Sequence, residues 1–518
     1  MTAALILRAL RIGVLGIVVL APLVSWILVG PVGPYEGRPQ VRFPQMSTVF
    51  SPDMAGRTRL ADAVMERAWI RRTALRIRNA VDYYIFGGLE TEAIVSGADG
   101  WLFYKPQFEA WDCDWAASNA DGLEGLQFQA QLAAAGDVPI VFAIAPNKAT
   151  IERERVAGRA ARYIGACYDE MDARLRELAA NDPTGLIVDH TAEVRRVRSG
   201  ADQYYATDSH WNSLAAVAGF NQLLSQPPVV LGVPQRAYRT TPNQISPGMG
   251  HHILQLNISE REDLVVPEDV DWSSLVEDAY PETVLVYRDS FYDALMEMMP
   301  ARMRNVIDID INRMPEGGVA DLLASADAVV VERVERNLLR NFARVGRTAG
   351  NEAIYEWLLA RNAETARQCA WQDGRDLVSA SAEGEAEFRR MARGADGGFH
   401  PAEPNARALV PVPSAWGAAV VCVRIRIEAS EEEFAQLFVP NPVVLDAAYA
   451  NTRSVAWSLQ PGENELLVAL PGAVAGDVLR FHPVASHRDF SILELSIAPR
   501  YAHRDSGTTA DEAALPDG

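Results

Sequence analysis

At 518 residues the chain is too long for a single hydrophobic core, so two domains with additional segments are expected. Hydrophobic residues at 49% and charged residues at 22% give the balance of an ordinary globular protein, not of a disordered or multispanning one. The net charge of −20 argues against a nucleic-acid partner, since phosphates are bound by basic groups that release counterions, and disfavours a polyanionic substrate unless a local basic groove overrides it.

From Ile12 to Tyr35 no residue is charged, and IGVLGIVVLAPLVSWILV is apolar enough to cross a bilayer as one helix. Arg8 and Arg11 precede it and Glu36 follows, so the positive-inside bias places the bulk of the chain outside the cytoplasm. A cleaved signal peptide is the rival reading. Against it, the apolar run exceeds the ~7–15 residues of an h-region, and GPVGPYEG is a poor cleavage site. The expected order is a cytoplasmic tail (1–11), an uncleaved anchor (12–33) in the inner membrane and a stalk (34–57) on its periplasmic face. Export makes the cysteines readable. Cys113, Cys167, Cys369 and Cys422 allow three connectivities, with four separate buried thiols as the competing reading. Pairing Cys113 with Cys167 and Cys369 with Cys422 keeps each bridge within one domain or at its edge. No CxxC spacing is present, so no metal is expected.

Residues 58–86, TRLADAVMERAWIRRTALRIRNAVDYYIF, place apolar residues at helical spacing among many arginines, as in one or two amphipathic helices. GADGWLFYK (97–105) reads as a turn into a strand. An alternation follows. LEGLQFQAQLAAAG, YDEMDARLRELAAN and WNSLAAVAGFNQLL are helical, VPIVFAIAPNK and TGLIVDH read as buried parallel strands, the first a continuous apolar run, and ETVLVYRDS, RNVIDIDIN and ADAVVVERV carry further strand signals. FYDALMEMMP adds a helix after ETVLVYRDS, and the stretch before that strand is irregular. This predicts a doubly wound α/β domain over 58–365, with ligands at the carboxyl ends of its strands. Past residue 365 the pattern changes to short β-type runs such as AAVVCVRIRIEA, ELLVAL and FSILELSIA, punctuated by Pro, Gly and Asn, which predicts a β-sandwich over 366–501. Residues 502–518 are small and polar, the composition of a disordered tail.

Three residues could carry chemistry together. Asp208 and His210 sit two apart in YYATDSHWNS, where a carboxylate could fix the tautomer of a general-base imidazole. Ser290 stands where ETVLVYRDS gives way to a helix, near backbone N–H groups that could meet an oxyanion. Singly these are weak signals, because Asp-x-His is commonly a cap beside a surface histidine and Asp-Ser commonly an N-cap.

The arginine-rich helix ending YYIFGG, then GADGWLFYK, APNK, TDSHWN, VYRDSF and VVVERVERNLL, resembles in content and order the SGNH-hydrolase-like family of the alginate O-acetyltransferases AlgX and AlgJ and related exopolysaccharide acetylation proteins, over roughly residues 60–340. The resemblance implies a triad of Asp208, His210 and Ser290 in that chain order. Arg288 stands where a glycine often precedes the Asp-Ser pair, and SPGMGHH (246–252) matches no block of the family. Some members carry a carbohydrate-binding-like sandwich after the catalytic domain, and GENELLVALPG, VLRFHPV and FSILELSI resemble such modules in a general way.

Asn147 and Lys148, at a strand's carboxyl end, read equally as substrate contacts and as a structural loop with a solvated lysine. Tyr205 and Trp211 could line a sugar site, although core packing explains them as well, and Arg288 could line the cleft. Asp189–His190 reads as a strand-end cap, and Glu332, Glu335 and Arg336 as a structural ion-pair set. Trp111 and Trp115 pack a disulfide or stack on sugars, and His251–His252 lack the companions of a metal site. The function expected is O-acetylation of an exported polysaccharide through an acyl-serine, with no cofactor. By the resemblance, a membrane-bound O-acyltransferase supplies the acetyl group. The alternatives are a catalytically silent polysaccharide-binding scaffold and a carbohydrate acetylesterase.

Overall fold

The structure is a computed structural model describing residues 40–111, 113, 116–197, 202–225, 238–244, 254, 256, 261–267, 280–296, 299, 303–311, 318–342, 352–371, 375–377, 386–416, 420–440, 451–471, 476–483 and 489–500, with parts of 13–33. Residues 12, 14, 15, 17–19 and 23 of the expected anchor lie outside these residues, as do Trp115, SPGMGHH with its His251–His252 pair, and the tail beyond 500. Among the described residues no helix is long and apolar enough to cross a membrane.

Two helices, α1 (Ala55–Arg67) and α2 (Trp69–Ala80), precede an antiparallel hairpin of β1 (Ile94–Ser96) and β2 (Leu102–Tyr104). The hairpin turns at Asp99 and Gly100 with φ of 51° and 80°, a left-handed conformation that glycine adopts without steric cost. Next come α3 (Ala116–Ala135), β3 (Ile140–Ala145), α4 (Ala166–Ala180), β4 (Ile187–Asp189), α5 (Thr191–Arg196) and α6 (Ser213–Leu224). The stretch read as irregular holds an antiparallel ribbon of β5 (Tyr238–Gln244) and β6 (Arg261–Pro267). Polar residues dominate the first of those strands, which hid it from a hydrophobic pattern. Then follow β7 (Tyr280–Arg288), β8 (Met303–Asp310), β9 (Ala328–Val334), α7 (Glu335–Phe342) and α8 (Glu352–Arg367). The expected helix after β7 is short, a 3-10 turn at Ser290–Tyr292 running into Asp293–Met296.

The central sheet is parallel throughout, in the order β4-β3-β9-β7-β8. Every residue of β3 and β9 is buried, as expected of strands covered on both faces. Because the strands are parallel, Asn147, His190, Asp289 and Glu335 all emerge at one edge of the sheet.

The carboxyl-terminal part forms two antiparallel sheets. One holds β12 (Met391–Arg393), β13 (Phe399–Pro401), β20 (Phe490–Arg500), β15 (Val420–Ala429) and β18 (Gly462–Leu470), with β10 (Arg375–Asp376) also on β20. The other runs β11 (Glu387–Arg389), β14 (Arg407–Pro411), β19 (Val478–His482), β16 (Glu433–Phe438) and β17 (Ser454–Leu459). β18 and β17 are edge strands, and α8 covers both. Asn362 accepts from Ala469 N at 2.7 Å and donates to Ala469 O at 3.0 Å, while the Tyr355 hydroxyl accepts from Ala456 N at 3.2 Å. Tyr355 and Asn362 lie two turns apart on one helix face, so one helix blunts two edges open to aberrant pairing. The same helix grips the end of α3. Asn362 donates to Leu132 O at 2.8 Å and Thr365 to Gly136 O at 2.6 Å, and a Cβ at Gly136 would fall 2.6 Å from the Asn362 amide nitrogen. The disulfides Cys113–Cys167 and Cys369–Cys422 form as expected, the second joining the end of α8 to β15.

Candidate active site

Ser290 sits on the sharp turn after β7. Asp289 forms that turn: its Oδ1 accepts from Phe291 N at 3.0 Å and its Oδ2 from Val334 N at 3.0 Å. The N-cap role that an Asp-Ser pair suggests therefore falls to the aspartate, which leaves the serine hydroxyl available. Asp289 N donates in turn to Glu332 Oε2 at 3.0 Å. Burial, reinforced by the Asp289 charge, pushes the Glu332 carboxyl well above its ordinary value.

The facing loop spans 205–210 and is closed by a bridge between Tyr204 and Trp211. Its helix cap is Asn212, whose side chain accepts from Ala215 N at 3.1 Å, so Asp208 is not needed as a cap. His210 Nδ1 lies 2.7 Å from Asp208 Oδ1, and its Nε2 lies 2.9 Å from Ser290 Oγ. Burial opposes ionisation of Asp208, but the hydrogen bonds and charge of His210, with Lys148 behind, hold its carboxyl below the ordinary value.

The five expected substrate contacts divide. Lys148 is not at a cleft surface. It is 1% exposed, and its Nζ donates to the carbonyls of Leu102, Tyr205, Ala206 and Asp208 at 2.8, 2.6, 2.8 and 2.9 Å. Trp211 is buried too and donates from Nε1 to Phe291 O at 2.7 Å, tying the histidine loop to the serine turn. Arg288 is 4% exposed and held by Asp308 through two bonds of 2.8 Å and by Asp293, so its charge is already met. Asn147 is buried. Its backbone N–H goes to Glu335 and its Oδ1 accepts from Arg336 at 3.3 Å, but its Nδ2 donor has no partner. Tyr205 is half-buried beside the histidine.

The VERVER side chains do not pair among themselves. Glu335 binds Arg176 and Thr150, Arg333 lies over the Tyr287 ring, and Arg336 lies over Phe291, 4.9 Å from the ring centre. The ion-pair reading holds for Glu335, which pairs with Arg176, but not for Glu332, Glu335 and Arg336 as one set, because they straddle the end of β9 and the start of α7 and point to different neighbours. Arg336, read from the sequence as part of a structural ion-pair set, is thus a cation beside the serine turn. Asp189 does cap α5, accepting from Thr191 N at 3.0 Å, while His190 is a satisfied core histidine between Gln222 and Tyr292. Trp111 is buried against Tyr168, next to the Cys113–Cys167 bridge.

A parallel α/β sheet with a serine, a histidine and an aspartate in hydrogen-bonded sequence at its carboxyl edge defines the SGNH-type class. Residues 94–281 match the family described as SGNH hydrolase-like domain, acetyltransferase AlgX, a span that includes Asp208 and His210 and stops short of Ser290. That stretch is thus similar to an SGNH hydrolase-like acetyltransferase domain. No curated protein sequence matches it. Among solved structures, the O-acetyltransferase domain of Pseudomonas putida AlgJ is 19% identical over 48% of this chain and 92% of its own, with a TM-score of 0.35. Pseudomonas aeruginosa AlgX is 11% identical over 79% of this chain and 95% of its own, also at 0.35. Bacillus cereus PatB1 with a sulfonyl adduct is 16% identical over 48% of this chain and 99% of its own, again at 0.35.

Proposed function

We propose that the protein O-acetylates an exported polysaccharide, held by an uncleaved anchor (12–33) on the periplasmic face of the inner membrane. The observation that carries this reading is the two-sided imidazole, with Asp208 at 2.7 Å on one nitrogen and Ser290 at 2.9 Å on the other. His210 takes the Ser290 proton as Oγ attacks the acetyl carbonyl. The tetrahedral adduct collapses to acetyl-serine as the imidazolium returns that proton to the leaving group. A sugar hydroxyl, deprotonated by the same histidine, then attacks the acetyl-serine, and its collapse restores the serine hydroxyl. Asp208 fixes the histidine tautomer. The buried, partnerless amide of Asn147 is our candidate donor to the acyl oxygen, and Tyr205 our candidate acceptor contact. By the family resemblance, a membrane-bound O-acyltransferase delivers the acetyl group.

The domain plan is a catalytic unit over 58–365 and a glycan-holding sandwich over 366–501. In support of the latter, a cleft of about 710 Å³ lies between α8 and the sandwich, lined by Tyr355, Phe434 and Trp457 with Gln436, Ser458 and Glu356 among the polar groups. Aromatic faces flanked by amide and hydroxyl groups suit the faces and edges of a sugar ring.

The test uses a serine-directed phosphonate and a small activated acetyl ester. Wild type should be labelled and should acetylate an oligosaccharide, while Ser290→Ala does neither. Acetate release unchanged by every acceptor, with no acetylated sugar, would make the protein an esterase. Failure to label would favour the silent scaffold.

A further inference from the structure

Among the described residues, every exposed large apolar side chain except Phe434 and Val478 lies between residues 20 and 86. Within that span α2 and the π-helical turn Val81–Ile85 display a stripe. Ile70, Ile77, Tyr84 and Ile85 are 37%, 60%, 62% and 70% exposed, at intervals of seven to eight residues that return to one side of a helix. The opposite side is attached to the catalytic domain, where Asn79 donates to Leu254 O at 3.1 Å and the Tyr83 hydroxyl to Gly100 O at 3.1 Å. The stripe is therefore the outward face of a fixed element.

Its charge differs from that of the rest. Residues 55–80 carry seven arginines against Asp62 and Glu66, in a chain whose net charge is −20. Arg76 and Arg78 flank Ile77 and are exposed. The apolar amino-terminal stretch also leaves from the side of this element. Val32 N donates to Arg67 O at 3.0 Å, Gln40 bonds Val32 O at 2.8 Å, and the Trp26 ring stacks on Phe43 at 6.0 Å.

We propose that residues 43–86 form a platform lying on an anionic bilayer surface, with the α2 stripe in the acyl boundary and the arginines among lipid phosphates. A basic, aromatic, amphipathic face at the exit of an apolar segment has the chemistry of a lipid interface. The platform would fix the tilt of the α/β domain, a constraint that an anchor and stalk alone do not impose. It is continuous with the proposed anchor but distinct from it, and the test reads the two separately.

All four native cysteines are in disulfides, so one introduced cysteine can be labelled selectively. The full chain is reconstituted into vesicles of phosphatidylethanolamine and phosphatidylglycerol with a polarity-sensitive fluorophore at Ile77→Cys, Ile27→Cys or Glu428→Cys. Positions 27 and 77 should be quenched by spin-labelled lipid and shielded from aqueous iodide, while position 428, exposed on the sandwich, should show the reverse. Neutralising Arg71 and Arg76 with Arg71→Gln and Arg76→Gln should cut the docked fraction roughly fivefold per residue on these vesicles. Iodide access at 77 like that at 428, with 27 still in lipid, overturns the platform and leaves the anchor standing. That is also the result expected of a face built for a protein partner, since the vesicles contain none. Lipid quenching at 77 with 27 in water upholds the platform and rejects the anchor, and iodide access at both rejects the two together.

Discussion

Replacing Lys148 by methionine separates a positioning role from a substrate contact. The side chain fits, but Leu102 O, Tyr205 O and Asp208 O lose a charge-assisted partner, while Ala206 O keeps the Leu102 N–H at 2.8 Å. At ~1–3 kcal/mol for each buried acceptor left unmet, and with some relaxation, the loss is about 4 kcal/mol. For a chain of 518 residues that lowers Tm by about 4 °C in a calorimetric scan. The three carbonyls belong to β2 and the histidine loop, so loosening them also shifts Asp208 and His210. A displacement of that kind costs about 10²-fold in kcat for a small acetyl ester. Lys148→Arg should not restore activity, because a planar guanidinium cannot converge on four carbonyls as a compact ammonium does. If Lys148→Met melts like the wild type and raises only KM for the acceptor, the positioning account is wrong and the lysine is a substrate contact.

Arg288→Met removes the bidentate bond to Asp308, whose carboxylate is exposed and stays solvated, so the loss should be about 1–2 kcal/mol in urea unfolding with acceptor KM unchanged. Burial, then Arg480 and Arg407, lowers the His482 pKa to about 4, against ~6.5 when unfolded. The unfolded chain therefore binds the extra proton first, so this contribution to stability is complete above pH ~6.5 and is lost as pH falls toward 4. The Tm difference between wild type and His482→Gln should shrink across that window, and a pH-independent difference would count against the assignment. Phe434→Ala, in the sandwich cleft, should raise KM for a polymeric acceptor about tenfold and leave small-ester turnover unchanged.

The inner strands β3 and β9 were legible because burial on both faces leaves continuous apolar runs, and their ends followed from where those runs stop, whereas the edge strand β8 is only partly buried and showed only an apolar–acidic alternation. Asp208, His210 and Ser290 were legible for a different reason: a loop motif and a strand-end serine keep the spacing their contacts need. What could not be read was direction. At a strand's carboxyl end a side chain faces solvent or core according to backbone that arrives from elsewhere, and Lys148 meets carbonyls from 46 to 60 residues away. For Trp211 the core-packing alternative is the one that burial favours, and Arg288 is buried against Asp308 and Asp293 on the same ground, since a polar tip hides whether its body is buried. One signal was present for Lys148. Lys148 is one of only two lysines among the chain's 48 basic residues, and a compact ammonium suits the convergent carbonyls it meets better than a planar guanidinium does.

On the reading proposed here, the attachment of the sandwich bears directly on transfer. An acyl-serine is consumed by whichever nucleophile is held near it, and water is always present. A transferase prevails only by fixing a sugar hydroxyl in attack geometry, where effective molarities of roughly 10⁵–10⁸ M become available. A sugar-binding module on a loose tether would raise the local acceptor concentration but could not set that geometry. Here α8 belongs to both halves. Asn362 bonds α3 and β18 at once, Thr452 reaches Glu124 at 2.8 Å, and Cys369–Cys422 closes the seam. A glycan seated between α8 and the sandwich is therefore held in a fixed relation to the strands that carry Ser290, so binding energy gained far from the serine can orient the hydroxyl that reacts there.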